Sequence, residues 1–274
     1  MQSSQTKGKS RLSYAKDNDP TFRKVLIRTL EVLTGQRRIQ RLYHEIYDME
    51  LEPHQVWGAS LRQLEIEVSY DQKALDAIPK HGPLVFISNH PYGVLDGLIL
   101  GHTVSQVRPN FFILVNSLLL GEALLDDFLL PISFEETREA IRQNIHTKQE
   151  TIRRMQAGEA LAIFPGGGVA TAKKWWKGEA EELEWKRFTA KVIQQTQATV
   201  VPLYFPGQNS RLFQLASKID SKLRLGLLIN EIRNKMGKRI ELKIGRPIPY
   251  TELSSIKDRQ ALLDHLQQQV LRLR

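Results

Sequence analysis

Four consecutive apolar residues, Leu84-Val85-Phe86-Ile87, lead into Asn89-His90-Pro91-Tyr92-Gly93-Val94-Leu95-Asp96. A second run, Leu161-Ala162-Ile163-Phe164, leads into Pro165-Gly166-Gly167-Gly168. A short, unbroken apolar run closed by turn residues reads as a buried strand. Ligand sites in open α/β sheets gather at the carboxyl ends of strands, so the two turns are expected to converge on one cleft.

The rest of the chain supplies the sheet that such strands need. Leu64 to Ser69 reads as a strand, and a helix is expected from Val94. A strand follows at Phe111 to Val115, then a helix near Gly121 to Leu130. Glu135 to Ala157 reads as a long polar helix ended by Gly158, and Glu184 to Gln197 as another. Thr199 to Phe205 is a strand interrupted by Pro202, Arg239 to Ile244 a further strand, and Asp258 to Leu273 a closing helix. Strands alternating with helices predict an α/β fold, a mostly parallel central sheet flanked by helices.

Ahead of it stands an N-terminal amphipathic helical arm. Phe22, Val25, Leu26, Leu30 and Leu33 share one helical face, and Ile39, Leu42, Tyr43 and Ile46 another after Gly35, with Arg37, Arg38 and Arg41 opposite. This pattern fits an interfacial membrane helix and equally a helix packed on its own domain. The expected division is a disordered basic tail over 1–19, the helical region over 20–62 and an α/β domain over 63–274.

Charge is uneven. Residues 1–47 hold ten Lys/Arg against four Asp/Glu, which is +6 of the net +9. Such an arm fits an anionic partner, a bilayer or an acidic carrier protein, or simply a solvated tail. No recognised nucleic-acid motif accompanies it, and no nucleic-acid partner is expected. The chain has no Cys, which excludes disulfides, thiolate metal sites and a thiol nucleophile. Met1 to Pro20 lacks a signal-peptide core, so a cytoplasmic place is expected. No stretch offers the roughly 20 clean apolar residues of a spanning helix.

His90 and Asp96 are six positions apart, about 240° around a helix, so the chain must turn between them. Pro91 and Gly93 are residues that turn it. Asp96 in the first turn of the next helix can then hold His90 Nδ1, leaving Nε2 to take a proton from a hydroxyl. The spacing alone fits a structural histidine as well. Gly166 to Gly168 offer backbone N–H groups to an oxyanion, carboxylate or phosphate, or make a sharp turn and nothing more. They lack the Lys-Ser/Thr that ends a nucleotide-binding loop, so ATP or GTP is not the expected ligand. Lys173, Lys174, Trp175 and Trp176 suit an anionic ligand or a membrane boundary, and equally a solvated loop. Arg211, after the turn at Pro206, is expected at the cleft edge.

Together these residues resemble the glycerolipid acyltransferase family. Its Asn-His…Asp motif is matched by Asn89, His90 and Asp96, its Phe-Pro-Glu-Gly-Thr-Arg motif in outline by Phe164 to Gly167, and its Val-Pro by Val201-Pro202. The Asn-His-Pro-x-Gly-x-x-Asp form resembles a divergent bacterial branch that includes lyso-ornithine-lipid-type acyltransferases and proteins labelled hemolysins. The motif's Glu is Gly166 here and its Arg Val169, and the family's second motif has no match around Val115-Asn116-Ser117. The likeness spans roughly residues 64–250.

The resemblance implies a membrane-associated O-acyltransferase, peripheral on the inner face of the membrane. It would move a fatty acyl chain from acyl-CoA or acyl-carrier protein to the hydroxyl of a lysolipid, with no metal or redox cofactor. His90 and Asp96 are then the expected catalytic pair. Asn89, Gly93, Phe164, Pro165, Gly166, Gly167, Gly168, Lys173, Lys174 and Arg211 are the expected substrate-binding set. Two alternatives stand beside it: a lipid hydrolase or thioesterase using the same pair on water, and a non-catalytic lipid-binding protein on the same scaffold.

Overall fold

A computed structural model describes residues 36–274, except 118–124, 134, 136, 175 and 220. The expectations for the 1–19 tail, for a helix across Phe22 to Leu33 and for Trp175 fall outside the described residues.

The elements in chain order are α1 (Gln36–Asp48), α2 (Val56–Gln63), β1 (Glu67–Ser69), α3 (Gln72–Asp76), β2 (Leu84–Ser88), α4 (Val94–Ser105), β3 (Phe111–Asn116) and β4 (Leu129–Ile132). Then come α5 (Arg138–Gln156), β5 (Ala160–Ile163), β6 (Thr171–Lys174), β7 (Lys177–Glu181), α6 (Phe188–Thr196), β8 (Thr199–Tyr204) and α7 (Arg211–Ile219). The chain closes with α8 (Ser221–Lys235), β9 (Arg239–Glu241), β10 (Lys243–Ile244), α9 (Tyr250–Leu253) and α10 (Arg259–Leu271).

Six strands form the main sheet in the order β10-β8-β2-β5-β3-β4, parallel throughout except for β10, which runs antiparallel to β8. The architecture is the expected one. β2 lies at its middle, with all five residues buried, and the pleat sends alternate side chains to opposite faces. Leu84 and Phe86 join Trp57, Leu95, Ile99 and Phe111 on one face. Val85 and Ile87 join Phe112, Leu161, Val192 and Leu266 on the other. An apolar run without polar alternation is what a strand covered on both faces requires.

Pro202 sits inside β8 without breaking the ladder to β2. Its carbonyl accepts from Gly245 N–H on the β10 side, so its missing N–H faces that side too. The ladder to β2 loses no donor there.

α1 resolves the ambiguity of its segment. Ile46 is buried, and Ile39 and Leu42 pack on the body, while Arg38 and Arg41 face outward. This helix therefore lays its apolar face on its own domain. Trp57 of α2 reaches into the main core against Phe111 and Phe128.

Three expectations change. Leu129 and Leu130 belong to strand β4, paired with Ile113 and Leu114, and not to a helix, because their backbone N–H and C=O groups find partners at the edge of the sheet. The span Arg239 to Ile244 is split between two sheets: β9 pairs with β1, and β10 with β8. Lys173 and Lys174 lie on β6 and Lys177 on β7, which pair antiparallel, where a solvated loop was the alternative. The helical pair α7–α8 is an element the sequence reading did not place. Among the described residues, no helix is long and apolar enough to cross a membrane.

Candidate functional site

Parallel pairing of β2 with β5 sets Ile87 beside Ile163, so the residues just beyond each strand emerge at the same level. There His90 stacks on Phe164, ring centroids 4.0 Å apart and 20° from parallel. The two turns do converge.

Between His90 and Asp96 the chain makes its turn at Gly93, whose φ of +85° lies where glycine is at ease. A Cβ there would also strike Leu228 Cδ2 at 2.6 Å. Asp96, at the first turn of α4, is fully buried, and its Oδ2 lies 3.0 Å from His90 Nδ1. The same oxygen accepts the N–H groups of Tyr92 at 2.7 Å and Gly93 at 2.9 Å. Three donors and a helix N-terminus hold this carboxylate in place. Its Oδ1 has no hydrogen-bond partner among the described residues. With Nδ1 bonded to Asp96, Nε2 is the ring nitrogen left for proton transfer, and 17 % of the His90 side chain reaches solvent.

Asn89 is engaged elsewhere. Its Nδ2 donates to Phe205 O at 2.8 Å and its Oδ1 accepts Phe205 N–H at 2.7 Å, which ties the end of β2 to the end of β8.

The glycine turn is narrower than its sequence implies. Gly167 N–H donates to Phe164 O at 2.9 Å and closes the turn. A Cβ on Gly166 would sit 3.0 Å from Leu183 O, and one on Gly168 would sit 2.7 Å from Leu183 Cδ1. These glycines admit the neighbouring chain as much as any ligand. Among the described residues, the N–H groups of Gly166 and Gly168 meet no acceptor. Pro165, buried, accepts Lys186 N–H through its carbonyl.

Lys173 and Lys174 lie on β6 with exposed side chains, Lys173 paired with Glu181 at 2.9 Å. Arg211 opens α7 and is exposed. None of the three hydrogen-bonds to the His90 cluster among the described residues.

Glu182 escaped the sequence reading. Its Oε1 accepts His90 N–H at 2.7 Å and its Oε2 accepts Trp185 Nε1–H at 2.7 Å. Set among Glu179, Glu181 and Glu184, it looks like one of a solvated acidic run. Trp185 three positions on was the available signal. Burial raises its pKa, and the Trp185 and His90 N–H bonds offset this only in part. A carboxyl raised on folding destabilises the fold when ionised. Its stabilising share is therefore whole below its ordinary 4.5 and is lost as pH rises through the raised value. Glu182→Gln, uncharged at every pH, is expected to flatten that part of the stability profile. Urea unfolding at stepped pH reads the difference in slope; parallel profiles for wild type and variant would contradict it.

Beside Tyr92 a groove of about 460 Å³ is lined by Gly207, Gln208, Lys235, Lys238 and Glu241 among others. Tyr92 OH donates to Pro206 O, and burial, with Asp96 nearby, pushes its pKa up to about 12. It stays a neutral hydroxyl at working pH. Lys235 Nζ lies 4.6 Å from the centre of the Tyr92 ring and bonds Asn209 Oδ1 and Glu231 Oε2.

A family model described as "Acyltransferase" matches residues 23–273. The chain is 29% identical over 204 residues to the lyso-glycine lipid O-acyltransferase of Phocaeicola vulgatus, covering 70% of this chain and 68% of that protein. It is 26% identical over 200 residues to the protein of the same name from Bacteroides thetaiotaomicron, covering 70% of each. Its fold is similar to the crystal structure of the 1-acyl-sn-glycerophosphate (LPA) acyltransferase PlsC from Thermotoga maritima. There the TM-score is 0.50 at 14% identity, over 92% of this chain and 96% of that one.

Proposed function

From the acyltransferase family, to which this chain belongs, we propose that it takes a lysolipid as acceptor and O-acylates it from acyl-CoA or acyl-carrier protein. The observation that carries the reading is the 3.0 Å contact of His90 Nδ1 with the buried Asp96 carboxylate, directly beyond β2. In this reading His90 Nε2 removes the acceptor's hydroxyl proton as the oxygen attacks the thioester carbonyl carbon. The carbonyl oxygen becomes an oxyanion, for which Gly166 and Gly168 N–H are the candidate donors. Collapse expels the thiolate, which takes the proton back from the imidazolium and leaves an ester and a thiol. No group on the enzyme is acylated.

Headgroup choice is the finer part of the proposal. Gly166 and Val169 stand where the resembled motif carries its Glu and Arg, and the groove beside Tyr92 mixes Lys235, Lys238 and Arg239 with Glu231 and Glu241. Mixed charge suits an amino-acid headgroup better than a phosphate dianion, and the two relatives are named for a glycine lipid. The protein is therefore expected to prefer amino-acid-headed lysolipids over lysophosphatidate. Acyl-CoA or acyl-carrier protein incubated with a mixed lysolipid panel, products read by mass spectrometry, checks this. A clear preference for lysophosphatidate would overturn the headgroup assignment. Free fatty acid released without any acceptor would favour a hydrolase.

A further inference from the structure

α7 has two faces of different character. Inward, Phe213 and Ala216 pack with Val169, Leu227 and Leu228, and Gln214 Oε1 accepts Ala172 N–H of β6 at 2.8 Å. Outward, Leu212 is 54% exposed and Ile219 66%, the most exposed large apolar side chain among the described residues, with Leu215 half-buried between them. At 100° per residue, positions 212, 215 and 219 fall within about 60° of arc. Arg211 and Lys218, both exposed, run along one flank of this stripe, and β6 adds Lys173 and Lys174.

The stripe lies close to the chemistry. Val169 follows the glycine turn, and its neighbour Ala170 donates to His90 O at 2.8 Å. Leu228, packed in the same cluster as Phe213, is the side chain pressed against Gly93 of the His90 loop. A flat surface resting on the outer face of α7 is thus separated from that loop by the helix itself and the Val169 and Leu228 side chains it packs on. α1 offers no comparable face, since its apolar side is turned to the core. α5 also exposes Ile141 and Ile145, on a helix that packs against β4 and α6.

We propose that α7 is a docking surface for an anionic bilayer, with Leu212, Leu215 and Ile219 entering the interface and Arg211 and Lys218 meeting lipid headgroups. The proposal rests on the lysolipid reading, because an acceptor held in a leaflet must be met there. Docking on α7 brings that leaflet beside His90.

Co-sedimentation of the full chain with phosphatidylglycerol-containing vesicles tests it. The double variant Leu212→Gln/Ile219→Gln should bind at least about ten-fold more weakly, each apolar side chain being worth about that much. Lys218→Glu should weaken binding to these vesicles but not to pure phosphatidylcholine, whereas Ile141→Gln/Ile145→Gln should bind as wild type. With a short-chain, water-soluble lysolipid the α7 double variant should turn over at the wild-type rate, and with vesicle-held acceptor more slowly. Undiminished vesicle binding by the α7 double variant, or loss by the α5 variant instead, overturns the proposal. So does a change of oligomeric mass with vesicle binding intact, which would make the stripe a self-contact. Binding that depends on the stripe, with no acyl transfer to any acceptor, would leave docking standing and remove the lysolipid reading.

Discussion

His90→Ala is expected to cost at least about 10²-fold in turnover, within the 10²–10⁴ range that a positioned general base supplies. The side chain is not a core element. It keeps a solvent-exposed fraction, and its loss removes one stacking contact with Phe164 and one donor to Asp96. Asp96 Oδ2 retains the Tyr92 and Gly93 N–H groups, so the loop keeps its turn. Stability should fall by about 0.5–1.5 kcal/mol for the aromatic contact and by about as much again for the lost hydrogen bond to Asp96. Single-turnover assays with acyl-CoA, alongside urea unfolding, separate the two effects. A variant retaining more than about a tenth of wild-type turnover would remove His90 from the role of base.

Asp96→Asn tests the other half of the pair, and the geometry decides how the amide must sit. Three donors converge on Oδ2, so the carbamoyl oxygen has to take that position. The NH₂ then occupies the place of Oδ1, which has no partner among the described residues. A buried donor left unpaired costs roughly 1–3 kcal/mol. The neutral amide also cannot stabilise an imidazolium as a carboxylate does, so turnover should fall roughly 10²–10⁴-fold. Both variants are then expected to lose rate together with some stability. Asp96→Asn at near wild-type turnover would make the contact merely structural.

Much of this was legible because the informative residues are tied to backbone geometry. β2 and α4 begin where the apolar run and Gly93 place them, and the site pair follows from a strand, a turn and a helix start within thirteen residues, Leu84 to Asp96. The α7–α8 pair stands directly behind the turn residues Pro206 to Asn209, which read as a loop. The recurrence of Phe213 and Ala216, and of Leu227, Leu228, Glu231 and Ile232, was the helical signal there. Glu182 was invisible for a different reason. It reaches His90 across 92 positions of sequence through a backbone N–H, which carries no side-chain signature. Leu129 and Leu130 read as helix because a two-residue apolar step fits either period, and only pairing with β3 chooses.

The amide of Asn89 faces the Phe205 peptide as one strand residue faces another, giving and taking a hydrogen bond side by side. It is a counterfeit rung, set just past the last true one, and it keeps the two loops from splaying. Only a carboxamide can play that part: aspartate would set oxygen against the Phe205 carbonyl, and serine is too short. The Asn89 carboxamide is thus committed to the architecture of the sheet. On the proposed mechanism, a variant that kept Asn89 but lost His90 would still close its loops while losing its base, so the asparagine would serve the scaffold and the histidine the chemistry.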